Sequence, residues 1–285
     1  MNAKLFATIQ YLLPKHGLSR MMHSLARSQN SALKKATIDV FLKQFSVDMH
    51  EAAEPDPYAY DSFNAFFTRA LKPAARPIAS DADALASPVD GTISQIGEIK
   101  DDAIIQAKGH HYSLLTLLAG KADLAQRYHG GHFACIYLAP YNYHRIHMPL
   151  TGILNDTIYV PGDLFSVSVA AQQQVPNLFA RNERVICDFQ SASTQFAMAF
   201  IGALFVGSIE TVWAGEINPL PRKKTIAHLE QGRGTQLIKG TEAGRFNMGS
   251  TVILLIEPNR VQWLSTLQSG STVKFGQRIG TLTKP

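Results

Sequence analysis

From Ser87 to its C-terminus the chain breaks into short apolar, β-branched and aromatic runs, punctuated by Gly, Pro and Asn. The runs fall at 92–99, 103–107, 133–138, 152–160, 164–170, 184–190, 196–206, 209–213, 236–238, 251–256, 272–275 and 279–283. Strands this short and this closely spaced, with no βαβ rhythm, are the pattern of an antiparallel sandwich or barrel. Two stretches depart from it. Residues 113–127, with Leu114, Leu115, Leu117, Leu118 and Leu124, read as helical, and so do residues 259–267. No phosphate-binding Gly-rich loop is present. The expected fold class is α+β: an antiparallel β-sandwich or barrel-like core with amphipathic helices at the N-terminus.

Those helices carry their own signal. Leu5, Phe6, Ile9, Leu12 and Leu13 share one helical face, which Pro14 and Gly17 interrupt. Leu18, Met21, Met22 and Leu25 form a second short face, and a third helical stretch surrounds Ile38, Phe41, Leu42 and Phe45. The first 50 residues hold seven basic side chains against Asp39 and Asp48, so the whole net charge of +5 resides there. No run approaches the roughly 18 apolar residues needed to span a bilayer. Gln10 within the first apolar stretch, and the lack of a small-residue cleavage site after it, argue against a secretory signal. Two readings remain, packing on the protein's own core or docking on an anionic membrane surface. Nucleic acid is not an expected partner, because the segment lacks a reading motif and basic–aromatic interleaving. The acidic, Pro-rich stretch 51–61 reads as a linker between a helical region, 1–60, and a β-rich region, 61–285.

Cys135 and Cys187 sit in apolar runs and are expected as free, buried thiols. His129 and His132 are three residues apart, as are His144 and His147, but no Cys joins them and His-Glu-x-x-His is absent, so no metal is expected. A Gly-x-Ser-x-Gly elbow is also missing. Three groups remain. Asp90 lies in the Pro88-Val89-Asp90-Gly91 turn, where Asp before Gly is also an ordinary turn residue. His144 and His147 lie in the dense polar loop 141–149. Gly249 stands at the entrance of the run 251–256, where a residue without Cβ permits unusual backbone geometry, and the Ser250 hydroxyl can approach the Gly249 carbonyl. A Gly-Ser pair is also a common turn. Asp, His and Ser can form an orienter, base and nucleophile, but the spacing does not show that they meet.

Taken in order, Pro88-Val89-Asp90-Gly91, Tyr143-His144-Arg145-Ile146-His147-Met148-Pro149 and Phe246-x-Met248-Gly249-Ser250-Thr251 resemble bacterial phosphatidylserine decarboxylase. So do Phe66-Phe67-x-Arg69-x-Leu71-Lys72-Pro73-x-x-Arg76-Pro77, Pro161-Gly162-Asp163-Leu164-Phe165 and Gly207-Ser208-Ile209. The resemblance covers nearly the whole chain. Met248 stands where the family usually has Leu, a swap of similar volume that leaves Gly249-Ser250 intact. Ser168 stands where the family often has Asn.

The resemblance implies a proenzyme that cuts itself between Gly249 and Ser250 into a β chain, 1–249, and an α chain, 250–285. In that scheme Ser250 Oγ attacks the preceding carbonyl, β-elimination frees the upstream chain, and residue 250 becomes a covalent pyruvoyl cofactor. The serine amine of phosphatidylserine then forms a Schiff base with it, and loss of CO₂ leads to phosphatidylethanolamine. His147 is the implied base for the Ser250 proton, and Asp90 holds its tautomer. His144 is either the acid for the carbanion or a substrate-positioning group. The resemblance further implies an αβ heterodimer from one precursor, further dimerisation, and a peripheral place on the cytoplasmic face of the inner membrane. Leu5, Phe6, Ile9, Leu12 and Leu13 then become the expected contact with an anionic bilayer. The Ser87 turn and the C-terminal Val273-Lys274-Phe275-Gly276-Gln277-Arg278-Ile279-Gly280 also resemble hairpins of lipoyl- and sugar-phosphotransferase-type domains. That leaves a carrier as the non-enzymatic alternative, but its Lys between two Met residues does not occur.

Overall fold

Ser250–Ile256 is buried along its whole length and paired on both sides, with Gln195–Ile201 on one edge and His132–Leu138 on the other. Val, Ile and Leu at five of its seven positions suit a strand covered on both faces. It is the middle of a large antiparallel sheet ordered Ala227–His228, Gly152–Val160, Arg184–Gln190, Gln195–Ile201, Ser250–Ile256, His132–Leu138, Gly91–Glu98 and Thr272–Val273. The computed structural model describes residues 3–107, 110–205, 208–217, 225–247 and 250–283. Gly249, Met248 and Gly207, on which sequence expectations fall, lie outside the described residues.

Alternation along the middle strand sends its even and odd side chains to opposite faces. Val252, Leu254 and Ile256 join Ile136, Met198 and Phe200 and meet a second, four-stranded sheet through Ile146, Ile209, Ala243 and Phe246. That sheet runs Gly215–Ile217, Ile209–Thr211, Glu242–Phe246 and Arg145–His147. Ile253 and Leu255 face the other way, against Leu114, Leu117, Leu124, Tyr128, Leu178 and Phe179 from short helices. The result is the expected α+β sandwich, with the large sheet between a small sheet and a helical layer.

Four helices precede the sheets: α1 (Ala3–Leu12), α2 (Lys15–Ala26), α3 (Ser31–Gln44) and α4 (Phe63–Phe67). Asn30 caps α3 by accepting from Leu33 N–H at 3.0 Å, and Ser62 caps α4 by accepting from Ala65 N–H at 3.1 Å. Ile38 and Phe41 of α3 pack with Ala26 of α2 and with Phe63, Phe66 and Phe67 of α4. This aromatic cluster ties the helical region to the segment carrying the polar residues described below.

Three local expectations are corrected. Residues 259–267 are not helical: Asn259 takes a left-handed φ of 58°, and Val261–Trp263 then pairs with Arg278–Leu282. The run 164–170 is not a strand. The side chain of Asn182 supplies both hydrogen bonds to the Phe165 backbone, and Ser168 caps a short helix, Val169–Gln172. The stretch 51–61 is no free linker, because Ala52 is buried and Glu51 bonds Arg76 and Lys274.

Candidate active site

Ser250 is fully buried, and its Oγ has no hydrogen-bond partner among the described residues. Its even position puts it on the side of the large sheet that faces the small sheet. The two sheets are joined close by, since only three residues separate Glu242–Phe246 in the small sheet from Ser250. Asn247 is held on that path from both ends of its residue. Its N–H donates to the Ser208 carbonyl at 3.0 Å, and its Nδ2 donates to Ser208 Oγ at 2.8 Å. Asn64 of α4 donates to its Oδ1 at 3.1 Å. Ordered backbone therefore leads up to residues 248 and 249.

His147 ends the neighbouring strand Arg145–His147 and is nearly buried. Its Nδ1 lies 2.9 Å from the carbonyl of Gly240, an acceptor only, so Nδ1 carries the proton. Nε2 then accepts from the Tyr143 hydroxyl, also at 2.9 Å. The ring stacks on Phe275 with centroids 3.8 Å apart. Burial pushes the His147 pKa below its ordinary value of 6.5, so the imidazole is neutral at neutral pH. Gly240 adopts φ +81°, a conformation that glycine takes without steric cost.

Asp90 lies at the expected turn but is not hydrogen-bonded to His147. Arg76 binds both its oxygens, at 3.1 and 3.2 Å from Nε and 2.6 Å from Nη2, and the Phe275 N–H donates to Oδ1 at 2.8 Å. The tautomer of His147 is thus set by Gly240, not by Asp90 as expected, because the carboxylate is already claimed by a guanidinium. Phe275 links the two, with its backbone on Asp90 and its ring on His147.

His144 is fully buried and stacks on Phe67, centroids 4.1 Å apart. Its Nε2 faces two carbonyls, Ala139 at 3.1 Å and Pro140 at 3.3 Å, so Nε2 is the protonated nitrogen. Nδ1 is buried without a partner. Burial, then the charge of Arg69, pushes its pKa down to about 3. The ring is therefore neutral, and Nδ1 keeps a lone pair that is free to accept a hydrogen bond. His144 also offers its carbonyl to the Phe246 N–H at 3.0 Å.

The structure therefore gathers Asp90, His147 and His144 beside the segment that leads to Ser250. It does not hydrogen-bond either imidazole to Ser250 Oγ. Sequence reasoning assigned no role to Tyr143, Gly240, Phe275, Asn247 or Arg76. Tyr143 and Arg76 stand inside quoted motifs. Nothing in the sequence marks Gly240 as the carbonyl that would face His147.

The membrane-facing expectations divide. Leu5, Ile9 and Leu12 are exposed, Leu12 at 83%. Phe6 packs against the helical-layer core, and Leu13 is half-buried. Among the described residues, no helix is long and apolar enough to cross a membrane. Between α2, α3 and α4 lies an apolar groove of about 560 Å³ whose wall includes Val40, Phe63 and Phe67.

Comparison with known proteins follows the same outline. The family model described as phosphatidylserine decarboxylase matches residues 63–281, and a second, described as PSD, matches residues 5–46. The chain is 48% identical over 279 residues to a phosphatidylserine decarboxylase proenzyme of Methylococcus capsulatus, covering 98% of this chain and 96% of that one. It is 49% identical over 282 residues to the protein of the same name from Pseudomonas fluorescens, covering 98% of each. For the one from Alcanivorax borkumensis the identity is 46% over 284 residues, 99% of this chain and 98% of that one.

Proposed function

The chain belongs to the phosphatidylserine decarboxylase family, and from that premise we propose that it matures by cutting its own backbone between Gly249 and Ser250. Its activity is the decarboxylation of phosphatidylserine, and it is made as a proenzyme. The observation that carries the processing step is the Ser250 hydroxyl, fully buried and without a partner among the described residues. Leaving such a group unpaired costs about 1–3 kcal/mol. A residue kept there at that cost fits one that is chemically consumed.

Ser250 Oγ adds to the Gly249 carbonyl, its proton passes to a base, and the amide becomes an ester with a free amine on residue 250. β-Elimination transfers the residue 250 Cα proton to a base and breaks the Cβ–O bond, releasing Gly249 as a carboxylate and leaving dehydroalanine. Hydrolysis expels ammonia and leaves a pyruvoyl group at position 250. His147 is the base: its neutral ring, with Nδ1–H on Gly240, keeps a lone pair at Nε2. To use it, the Ser250 hydroxyl must displace Tyr143 from Nε2. Asp90 acts at one remove, by fixing the Phe275 backbone whose ring supports His147, and its charge favours the imidazolium.

The pyruvoyl group supplies an electrophilic carbonyl and an electron sink for the departing CO₂. The chain's own residues build the surroundings. Ser250 pairs with Leu138, and from Thr251 onward the strand is paired on both sides, which fixes position 250 at the head of the middle strand. His144 positions the substrate by accepting a hydrogen bond at Nδ1, since its Nε2–H is engaged by carbonyls.

The two products of cutting, 1–249 and 250–285, remain an αβ pair, because the small chain contributes the middle strand of the large sheet. The helical region 1–60 docks on an anionic bilayer through Leu5, Ile9 and Leu12, with the remainder as the catalytic region. Exposure of those three side chains supports this reading. Further dimerisation and the cytoplasmic face of the inner membrane rest on the resemblance to the bacterial family. The function is tested by CO₂ release from phosphatidylserine vesicles. The wild-type chain is expected to release it, and Ser250→Ala is not.

A further inference from the structure

Three guanidinium groups are buried among the described residues, and the fold treats them differently. Arg76 is paired with Asp90 and Glu51. Arg184 has no carboxylate but donates to four carbonyls, those of Thr116, Leu117, Ala180 and Asn182, at 2.7–3.0 Å. Arg69, 4% exposed, makes one long bond of 3.3 Å to the Tyr141 carbonyl, and its Nε and Nη1 have no partner. A guanidinium keeps its charge at any physiological pH, and an unpaired buried cation is strongly unfavourable.

Arg69 lines a polar cavity of about 190 Å³ shared with Asp90, Tyr143 and Lys274. The carboxylates around it are already engaged. Arg76 holds Asp90 and Glu51, and Asp48 accepts from the His50 backbone. The cavity therefore has in its wall a cation without a carboxylate partner among the described residues, next to the Tyr143–His147 hydrogen bond. The apolar groove lies along the same short segment, with Phe63 and Phe67 in its wall. A polar cavity and an apolar groove walled by different residues of the one segment 63–71 suit an amphiphile.

We propose that the Arg69 guanidinium binds the phosphodiester of the lipid headgroup, an assignment that rests on the decarboxylase reading of this site. The headgroup of phosphatidylserine has two anionic groups, and the chemistry separates them. The carboxylate loses its charge as CO₂ departs, so an ion pair to it is strongest in the ground state and opposes the reaction. The phosphodiester keeps its charge from substrate to product. A charge-assisted contact there holds the headgroup without raising the barrier.

The test uses Arg69→Gln and Arg69→Lys in the full chain, with glycerophosphoethanolamine as a soluble probe that has the phosphodiester and no carboxylate. For Arg69→Gln, KM for phosphatidylserine is expected to rise about tenfold or more while kcat changes little, as for a lost charge-assisted contact. The dissociation constant of the probe should rise by a similar factor, and Arg69→Lys should fall between. A raised KM with unchanged probe binding would assign Arg69 to the carboxylate and overturn the proposal. Unchanged values in both assays for the Lys and Gln variants would overturn it as well, leaving Arg69 structural. Probe binding is read by titration on cut or uncut protein. A failure of self-cleavage is therefore distinguishable from a failure of this assignment.

Discussion

The rings of His147 and Phe275 lie face to face, with centroids 3.8 Å apart and planes 9° from parallel. The two residues come from opposite sides of the proposed cut, so this contact is one within the precursor and one between chains afterwards. The same Phe275 donates its backbone N–H to Asp90 at 2.8 Å. Base and carboxylate are therefore coupled through a residue of the small chain.

Phe275→Ala removes the support of the His147 ring and leaves a void in its place. Such truncations cost about 3 kcal/mol, and self-cleavage should slow together with the stability loss. Denaturant unfolding in the uncut Ser250→Ala background measures the first, and the time course of fragment appearance measures the second. Wild-type cleavage kinetics in Phe275→Ala would remove the stack from the account.

Ser250→Ala should remain uncut and should also be more stable than a chain that keeps the hydroxyl. The comparison is made in a His147→Gln background, which is expected to hold both chains uncut. Deleting a buried hydroxyl without a partner should raise stability by about 1 kcal/mol. A loss of stability on deletion would mean that the hydroxyl has a partner in solution.

Much of this was legible in the sequence, and the exceptions have physical reasons. The sandwich followed from short runs with turn residues between them, and the buried run after Ser250 became the middle strand. The stretch 164–170 misled because alternating apolar residues also serve a loop whose backbone is satisfied by a side chain, here Asn182. Asp90, His144 and His147 stood out by type and density. Their partners did not, since the Gly240 carbonyl and the Phe275 backbone act through main-chain atoms that every residue carries.

His147 sets the pH dependence of cutting. The neutral ring is the competent base, and burial lowers its pKa below 6.5. The cleavage rate should therefore level off above the lowered pKa and fall in acid, with its half-point below 6.5. Tyr143→Phe removes the hydroxyl that occupies Nε2, and cutting should be at least as fast. Single-turnover rates across pH check both points. A half-point above 6.5 would contradict the neutral, desolvated base.

Leu5, Ile9 and Leu12 present apolar surface to solvent. Replacing all three with Ser should weaken binding to anionic vesicles about tenfold or more while leaving the melting temperature nearly unchanged. Vesicle sedimentation and thermal unfolding are the two readouts. Phe6→Ser is the control for packing, because Phe6 lies against the core and its loss should lower stability. Unchanged vesicle binding in the triple variant would return α1 to a purely structural role.

The account turns on what residue 250 becomes. Mass spectrometry of the purified chain under denaturing conditions addresses that directly. The prediction is two fragments, one of residues 1–249 and one of 36 residues, 250–285. The smaller should weigh about 4 kDa and carry a pyruvoyl group instead of a free serine amine at its N-terminus. A single uncut chain of 31.3 kDa that still decarboxylates phosphatidylserine would contradict it.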